Sequence, residues 1–163
     1  MSEATKYEES AGNASSGEPA HIAAILRRVH HEALFPGPLL LCLLTGHNAD
    51  PFFEPMPRDP APSTGQIFDS RFPDHLQISL ALNPALHDGA IVLRRDDIRS
   101  GYRIEGWSYR LIAPLALDHR GAANRGSAYN SCLATSMLGG VDAVYLLSRG
   151  CLTQFVNGNE NKI

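Results

Sequence analysis

Asn83-Pro84-Ala85-Leu86-His87-Asp88-Gly89-Ala90-Ile91-Val92-Leu93 is the stretch on which the fold turns. Asp88-Gly89 is a turn pair, and the apolar run Ala90 to Leu93 behind it predicts a strand entered directly from that turn. Such a pair can serve in two ways. It can simply join two elements, or its glycine can let the backbone approach a ligand beside the aspartate carboxylate.

Upstream, Gln77 to Leu82 is a further strand-like or short helical run. Before it, Pro51, Pro55, Pro57, Pro60 and Pro62 crowd residues 45–64, which predicts a long irregular loop that could carry function or be a plain surface excursion. Leu39 to Leu44 is short, continuous, apolar and bounded by breakers, so it predicts a buried strand. Pro36-Gly37-Pro38 ends the segment ahead of it. There Ile22, Ile25, Leu26, Val29 and Ala33 recur at three- and four-residue spacing, and Arg27, Arg28, His30, His31 and Glu32 fall mostly on the other face: an amphipathic helix over 20–34. Residues 1–19 have almost no large apolar side chain and predict a disordered tail.

Downstream, a polar turn over 94–99 leads to an apolar stretch from Trp107 to Leu115, in which Trp107 and Tyr109 read as core. Arg94 and Arg95 read as surface residues. Asp118 to Gly126 is turn-rich, and Ser127 stands where a helix cap should. Tyr129, Cys132, Leu133, Ser136 and Met137 form its one-sided stripe up to Gly139-Gly140. Val144–Leu147 and Leu152–Val156 flank Ser148-Arg149-Gly150, the signature of a tight hairpin. The order predicts one α/β domain over 20–158, with 159–163 as a C-terminal tail.

Composition sets the outer bounds. With 163 residues, 44% hydrophobic and 19% charged, the chain can bury one core and is neither mostly disordered nor a basic nucleic-acid binder. Its formal charge of -3 equals that of its first 20 residues, where Glu3, Glu8, Glu9 and Glu18 outweigh Lys6. No broad electrostatic field is expected over the rest. Cys42, Cys132 and Cys151 lie far apart in apolar stretches and read as buried free thiols, with no spacing for zinc. The start of the chain lacks a signal-peptide pattern and the longest apolar run is too short to span a bilayer, so a cytoplasmic location is expected, with no membrane partner. His30, His31 and His47 have no ligand partner at suitable spacing, and Ser131 and Ser148 lack a nucleophile-elbow pattern.

The run Pro84-Ala85-Leu86-His87-Asp88-Gly89-Ala90 resembles the diadenylate cyclase (DAC) domain family, whose signature is P-L-H-D-G-A followed by a strand. The similarity in element order extends from roughly residue 21 to 158 and implies a DAC-like α/β fold, a central mixed sheet flanked by helices; Asp142-Ala143-Val144-Tyr145-Leu146-Leu147-Ser148 is similar to the family's strand that ends in serine. The resemblance implies that Asp88 binds Mg²⁺ or Mn²⁺ at the ribose 3'-hydroxyl of ATP, with Gly89 and Ala90 beside the nucleotide. A carboxylate holding such a cation would position and acidify the hydroxyl that attacks an α-phosphorus.

Active family members carry G-T-R-H-R at the start of the following helix, and those cations hold the triphosphate. Here the corresponding run is Gly126-Ser127-Ala128-Tyr129-Asn130, with glycine and a hydroxyl but none of the cations, and Arg149 replaces the glutamate that usually follows Ser148. Phosphate could still meet the helix N-terminus at Ser127, or His119, Arg120 and Arg125 could reach over the site; the same three could equally be solvated loop charges. The expected nucleotide site is thus Asp88, Gly89, Ala90, Gly126, Ser127, Arg120, Arg125 and Ser148, with Asp88 as metal ligand and sole catalytic candidate. Three functions fit: a nucleotide sensor that has lost or altered cyclisation, a divergent cyclase making cyclic di-AMP from two face-to-face sites in a homo-oligomer, and an interaction module without nucleotide.

Overall fold

Short apolar runs bounded by breakers become the strands of this protein, and the computed structural model describes them within residues 18–114 and 125–163. Helix α1 is Glu18–His31 and strand β1 is Leu39–Thr45; strand β2 (Phe53–Pro55) and helix α2 (Phe72–Leu82) follow. Then come β3 (Ala90–Arg95), β4 (Arg103–Leu111), α3 (Ser127–Thr135), β5 (Val141–Ser148), β6 (Cys151–Val156) and β7 (Asn159–Lys162). The strands form one seven-stranded sheet in the order β2-β4-β3-β1-β5-β6-β7. β1 lies at its centre, parallel to β3 with Leu40 opposite Ala90 and antiparallel to β5 with Leu39 opposite Leu147. All other neighbours are antiparallel, which makes the sheet mixed as expected.

Alternation along β1 sorts the core into two layers. Leu39, Leu41 and Leu43 pack with Ile22, Leu26 and Val29 of α1 and with Phe72 and Leu76 of α2. Cys42 and Leu44 face the opposite side, where Cys132 of α3, Val144 and Phe155 complete a second cluster. Covering both faces explains why β1, β3 and β5 read as continuous apolar runs. At about 25 cal/mol per Å² of buried apolar surface, each fully buried leucine contributes roughly 2 kcal/mol.

Several expectations need correction. Of the two readings of Gln77–Leu82 the helical one holds, but the helix is longer than expected and begins earlier, with a proline in its first turn at Phe72-Pro73. The proline-rich segment is not structureless: Asp50–Phe52 make a 3₁₀ turn and Phe53–Pro55 pair with β4 as an edge strand, where a proline costs no ladder bond. Residues 159–162 form β7 rather than a tail. Glu18 and Pro19 open α1, and residues 1–17 lie outside the described part of the chain.

Register shifts between β3 and β4 place Trp107 in the α1/α2 layer, stacked 6.2 Å from Phe72, and Tyr109 in the other layer. Arg94 and Arg95 are not surface residues; their side chains are 11% and 9% exposed. Arg94 pairs with Asp50 and Glu105, and Arg95 with Glu18 and Asp142. Cys42 and Cys132 are buried as expected, but Cys151 is exposed.

Candidate functional site

One end of the sheet gathers the sequence features singled out above. Asp88 precedes β3, Pro38 precedes β1, and Ser148 ends β5, so the parallel β1/β3 pair and the antiparallel β1/β5 pair bring all three to the same side. Pro84–His87 form a 3₁₀ turn capped by Asn83, whose Oδ1 accepts from the Ala85 amide at 3.1 Å while its Nδ2 donates to the Pro60 carbonyl at 3.1 Å. His87 Nδ1 contacts the Pro84 carbonyl at 2.7 Å. That turn delivers Asp88 in extended conformation and Gly89 at φ +103°.

Gly89 is needed there. A Cβ would stand 2.5 Å from Met56 Cε, 3.0 Å from Ser108 Oγ and 3.1 Å from the Tyr109 amide nitrogen. Both the backbone angle and the close approach of β4 therefore select glycine. The Ser108 hydroxyl, buried, donates to the Asp88 carbonyl at 2.5 Å and ties the turn to β4.

The Asp88 side chain is 75% exposed and opens on a cavity of about 610 Å³ that it lines with Gly89, Ala90, Tyr109, Ser127 and Ser131. Asp88 and the first residue of α3 thus share a cavity. Ser127 is that first residue, not the cap: Gly126 occupies the cap position in extended conformation, and no side chain caps the helix. Since Asn130 is the first residue to donate to Gly126, the amides of residues 127–129 lack an intrahelical acceptor, and this end of α3 carries the positive pole of its dipole.

A second cavity of about 850 Å³ adjoins the first, sharing Gly37, Pro38 and Ser127 with it. Gly126, Arg125 and Ser148 line it, so the expected site residues divide between two lobes of one cleft. Arg125 stacks 4.6 Å over the Tyr129 ring and approaches Glu160 to 3.9 Å. His119 and Arg120 lie outside the described residues.

Sequence reasoning missed Arg58. Its Nη2 is 3.6 Å from Asp88 Oδ2 and donates to the Asp88 carbonyl at 3.4 Å, while its Nε donates to Ser108 Oγ at 3.2 Å. The only hint was its place in the proline-rich segment beside the turn. No group of three His, Cys, Asp or Glu side chains that could hold a metal exists among the described residues. Among those residues Asp88 is the one carboxylate lining the 610 Å³ lobe. Such a donor set fits a divalent cation that arrives with phosphate oxygens rather than one held by protein alone.

No protein-family model and no curated protein matches the chain. Among solved structures, a hypothetical membrane spanning protein from Bacillus cereus is similar at a TM-score of 0.59 and 16% identity, over 90% of this chain. The chain spans 63% of that protein's length. DacA from Staphylococcus aureus, as a double mutant, is similar at a TM-score of 0.56 and 15% identity, over 91% of this chain and 89% of its own. The α/β architecture is therefore similar in fold to DacA, and at such identities the likeness concerns fold alone. No described helix is long and apolar enough to cross a membrane.

Proposed function

We propose that this domain is DAC-like and binds an adenine nucleotide, ATP or a cyclic dinucleotide, as a sensor whose cyclase activity is lost or altered. One observation carries the reading: the exposed Asp88 carboxylate and the amino end of α3 open on the same cavity of about 610 Å³. Its volume suits a small-molecule site. The P-L-H-D-G-A resemblance and the likeness in fold to DacA, a diadenylate cyclase, support the choice of ligand.

Asp88, Gly89 and Ala90 would meet the ribose side and the α3 amides the phosphates, with Ser127 between them. A divalent cation bound with the nucleotide would neutralise phosphate charge beside Asp88. The first turn of α3, Ser127-Ala128-Tyr129-Asn130, offers hydroxyls and amides but no side-chain cation. Cyclisation would have to stabilise a polyanionic transition state, and removing several cations from such a site costs many orders of rate. Sensing needs only ground-state binding.

Thermal melts with ATP and Mn²⁺, paired with chromatography of the incubated mixture, test this. Nucleotide-dependent stabilisation without a cyclic dinucleotide is expected, and Asp88→Asn should lose its Mn²⁺-dependent part. Absence of any stabilisation would leave the interaction module as the better reading. A cyclic product that vanishes with Asp88→Asn would establish the cyclase instead; cyclisation by this chemistry also needs two copies face to face, so a protein that stays monomeric with ATP agrees with sensing.

A further inference from the structure

Compared with the Asp88 lobe, whose one arginine, Arg110, is paired with Glu54 at 3.1 Å, the second lobe of the cleft gathers more positive charge. Arg149 from the β5–β6 turn, Lys162 from β7, Arg125 ahead of α3 and His30 near the end of α1 all line it, around the hydroxyls of Ser148 and Thr153. Among the described residues, no carboxylate lines this lobe. Arg125 is already engaged by Glu160 and Tyr129. Among the described residues Arg149 and Lys162 belong to no ion pair, so no carboxylate there neutralises their charge.

Two local features bring these cations to the lobe. Arg149 and Gly150 form a two-residue hairpin turn with φ of +50° and +77°. Left-handed conformations favour Gly, Asn or Asp, so a bulky cation in the first of these positions is held there at a conformational cost. The turn also sits against α1, where a Cβ at Gly150 would lie 3.7 Å from the His30 ring. β7 buries none of its four residues, yet it carries Lys162 to the cavity. Because the two lobes share Gly37, Pro38 and Ser127, these cations line the space next to the Asp88 lobe.

We propose that the lobe lined by Arg149 and Lys162 is a polyphosphate site, which takes the place of an arginine clamp on α3; its link to the sugar at Asp88 rests on the nucleotide reading above. Arginine offers a planar fork to phosphate oxygens and lysine a point charge, and both act beside the free amides of α3. The site would bind tripolyphosphate by itself and the phosphate tail of a nucleotide when one is present.

Calorimetric titration of the full chain with tripolyphosphate, and separately with ATP, tests this in the unsubstituted protein and three variants. Tripolyphosphate should bind the unsubstituted protein and Asp88→Asn alike. The pair Arg149→Asn with Lys162→Gln should weaken it by about tenfold or more, because two charged contacts are lost. Asparagine tolerates the left-handed turn, so that variant keeps the hairpin. The charge-conserving pair Arg149→Lys with Lys162→Arg should bind more tightly than the Asn/Gln pair, because both charges remain although the arginine fork moves. Tripolyphosphate that fails to bind, or binds the Asn/Gln pair unchanged, overturns the proposal. If tripolyphosphate binds through Arg149 and Lys162 while ATP gains nothing from Asp88, the polyphosphate site stands and the nucleotide reading falls; Asp88-dependent ATP binding untouched by the Asn/Gln pair gives the reverse.

Discussion

Arg58 Nη2 stands 3.6 Å from Asp88 Oδ2, and the same guanidinium is moored through its Nε on Ser108 Oγ at 3.2 Å. The carboxylate is 75% exposed and the arginine 21%, so the pair sits at the water boundary. Their attraction there is worth about 1 kcal/mol. A cation approaching Asp88 must compete with that arginine. Arg58→Gln should therefore lower the Mn²⁺ concentration that half-saturates ATP binding by about fivefold. Calorimetric titration of Mn²⁺ at fixed ATP measures this. Weaker nucleotide binding in the variant would show instead that Arg58 holds phosphate.

Gly89→Ala tests the turn. The substitution places a methyl group 3.1 Å from the Tyr109 amide nitrogen and 2.5 Å from Met56 Cε, at φ +103°. Met56 can swing away, but the β4 backbone cannot. A loss of roughly 1–3 kcal/mol is expected, or about 3–10 °C in Tm. Calorimetry that found an unchanged Tm would remove the steric account of this glycine.

The elements legible in the sequence were those whose neighbours matched their local pattern. β1 is apolar from Leu39 to Leu44 because α1, α2 and α3 cover both faces of the sheet, and α1 shows its period because one face meets solvent. α2 hides its period: Ile78 and Leu82 are 68% and 46% exposed, so apolar residues surround the helix instead of marking one face. Arg94 and Arg95 read as surface because their partners Asp50, Glu105, Glu18 and Asp142 are distant in the chain. Likewise the Asp88 motif was visible, but its meeting with Ser127 needs β1 inserted between β3 and β5, which no local pattern encodes. Arg58 offered only its place in the proline-rich segment.

The three cysteines make the layering measurable. Cys42 and Cys132 are fully buried, and burial pushes the Cys132 thiol up to about 12 and the Cys42 thiol well up as well. Neither should react with a thiol reagent at pH 8, whereas Cys151 is exposed. One fast-reacting thiol per folded chain is expected, three in denaturant, and none in folded Cys151→Ser. Two fast thiols in the folded protein would contradict the packing of α3 on β1.

At the sheet end opposite the cleft, Asp142 is the hub of a network. Its Oδ2 accepts from Tyr102 Oη at 2.7 Å and Thr45 Oγ1 at 2.5 Å, and Arg95 Nη2 lies 3.5 Å away. Arg95 reaches on to Glu18 at 3.1 Å and so pins the first turn of α1. Burial raises the Tyr102 pKa, and the hydrogen bond and charge of Asp142 raise it further. A group raised in the folded state contributes its full stability below its unfolded pKa and loses it as pH climbs toward the folded value. For Tyr102 the loss therefore begins above about pH 10. Tyr102→Phe should cost roughly 1.5–3 kcal/mol at pH 8, the usual range for a bond to a charged acceptor. That gap should shrink as pH rises past about 10, since phenylalanine has no proton to lose. Urea unfolding of both proteins from pH 8 to 11 reads it directly, and a constant gap across that range would mean that the Tyr102 hydroxyl does not hold Asp142 in the folded protein.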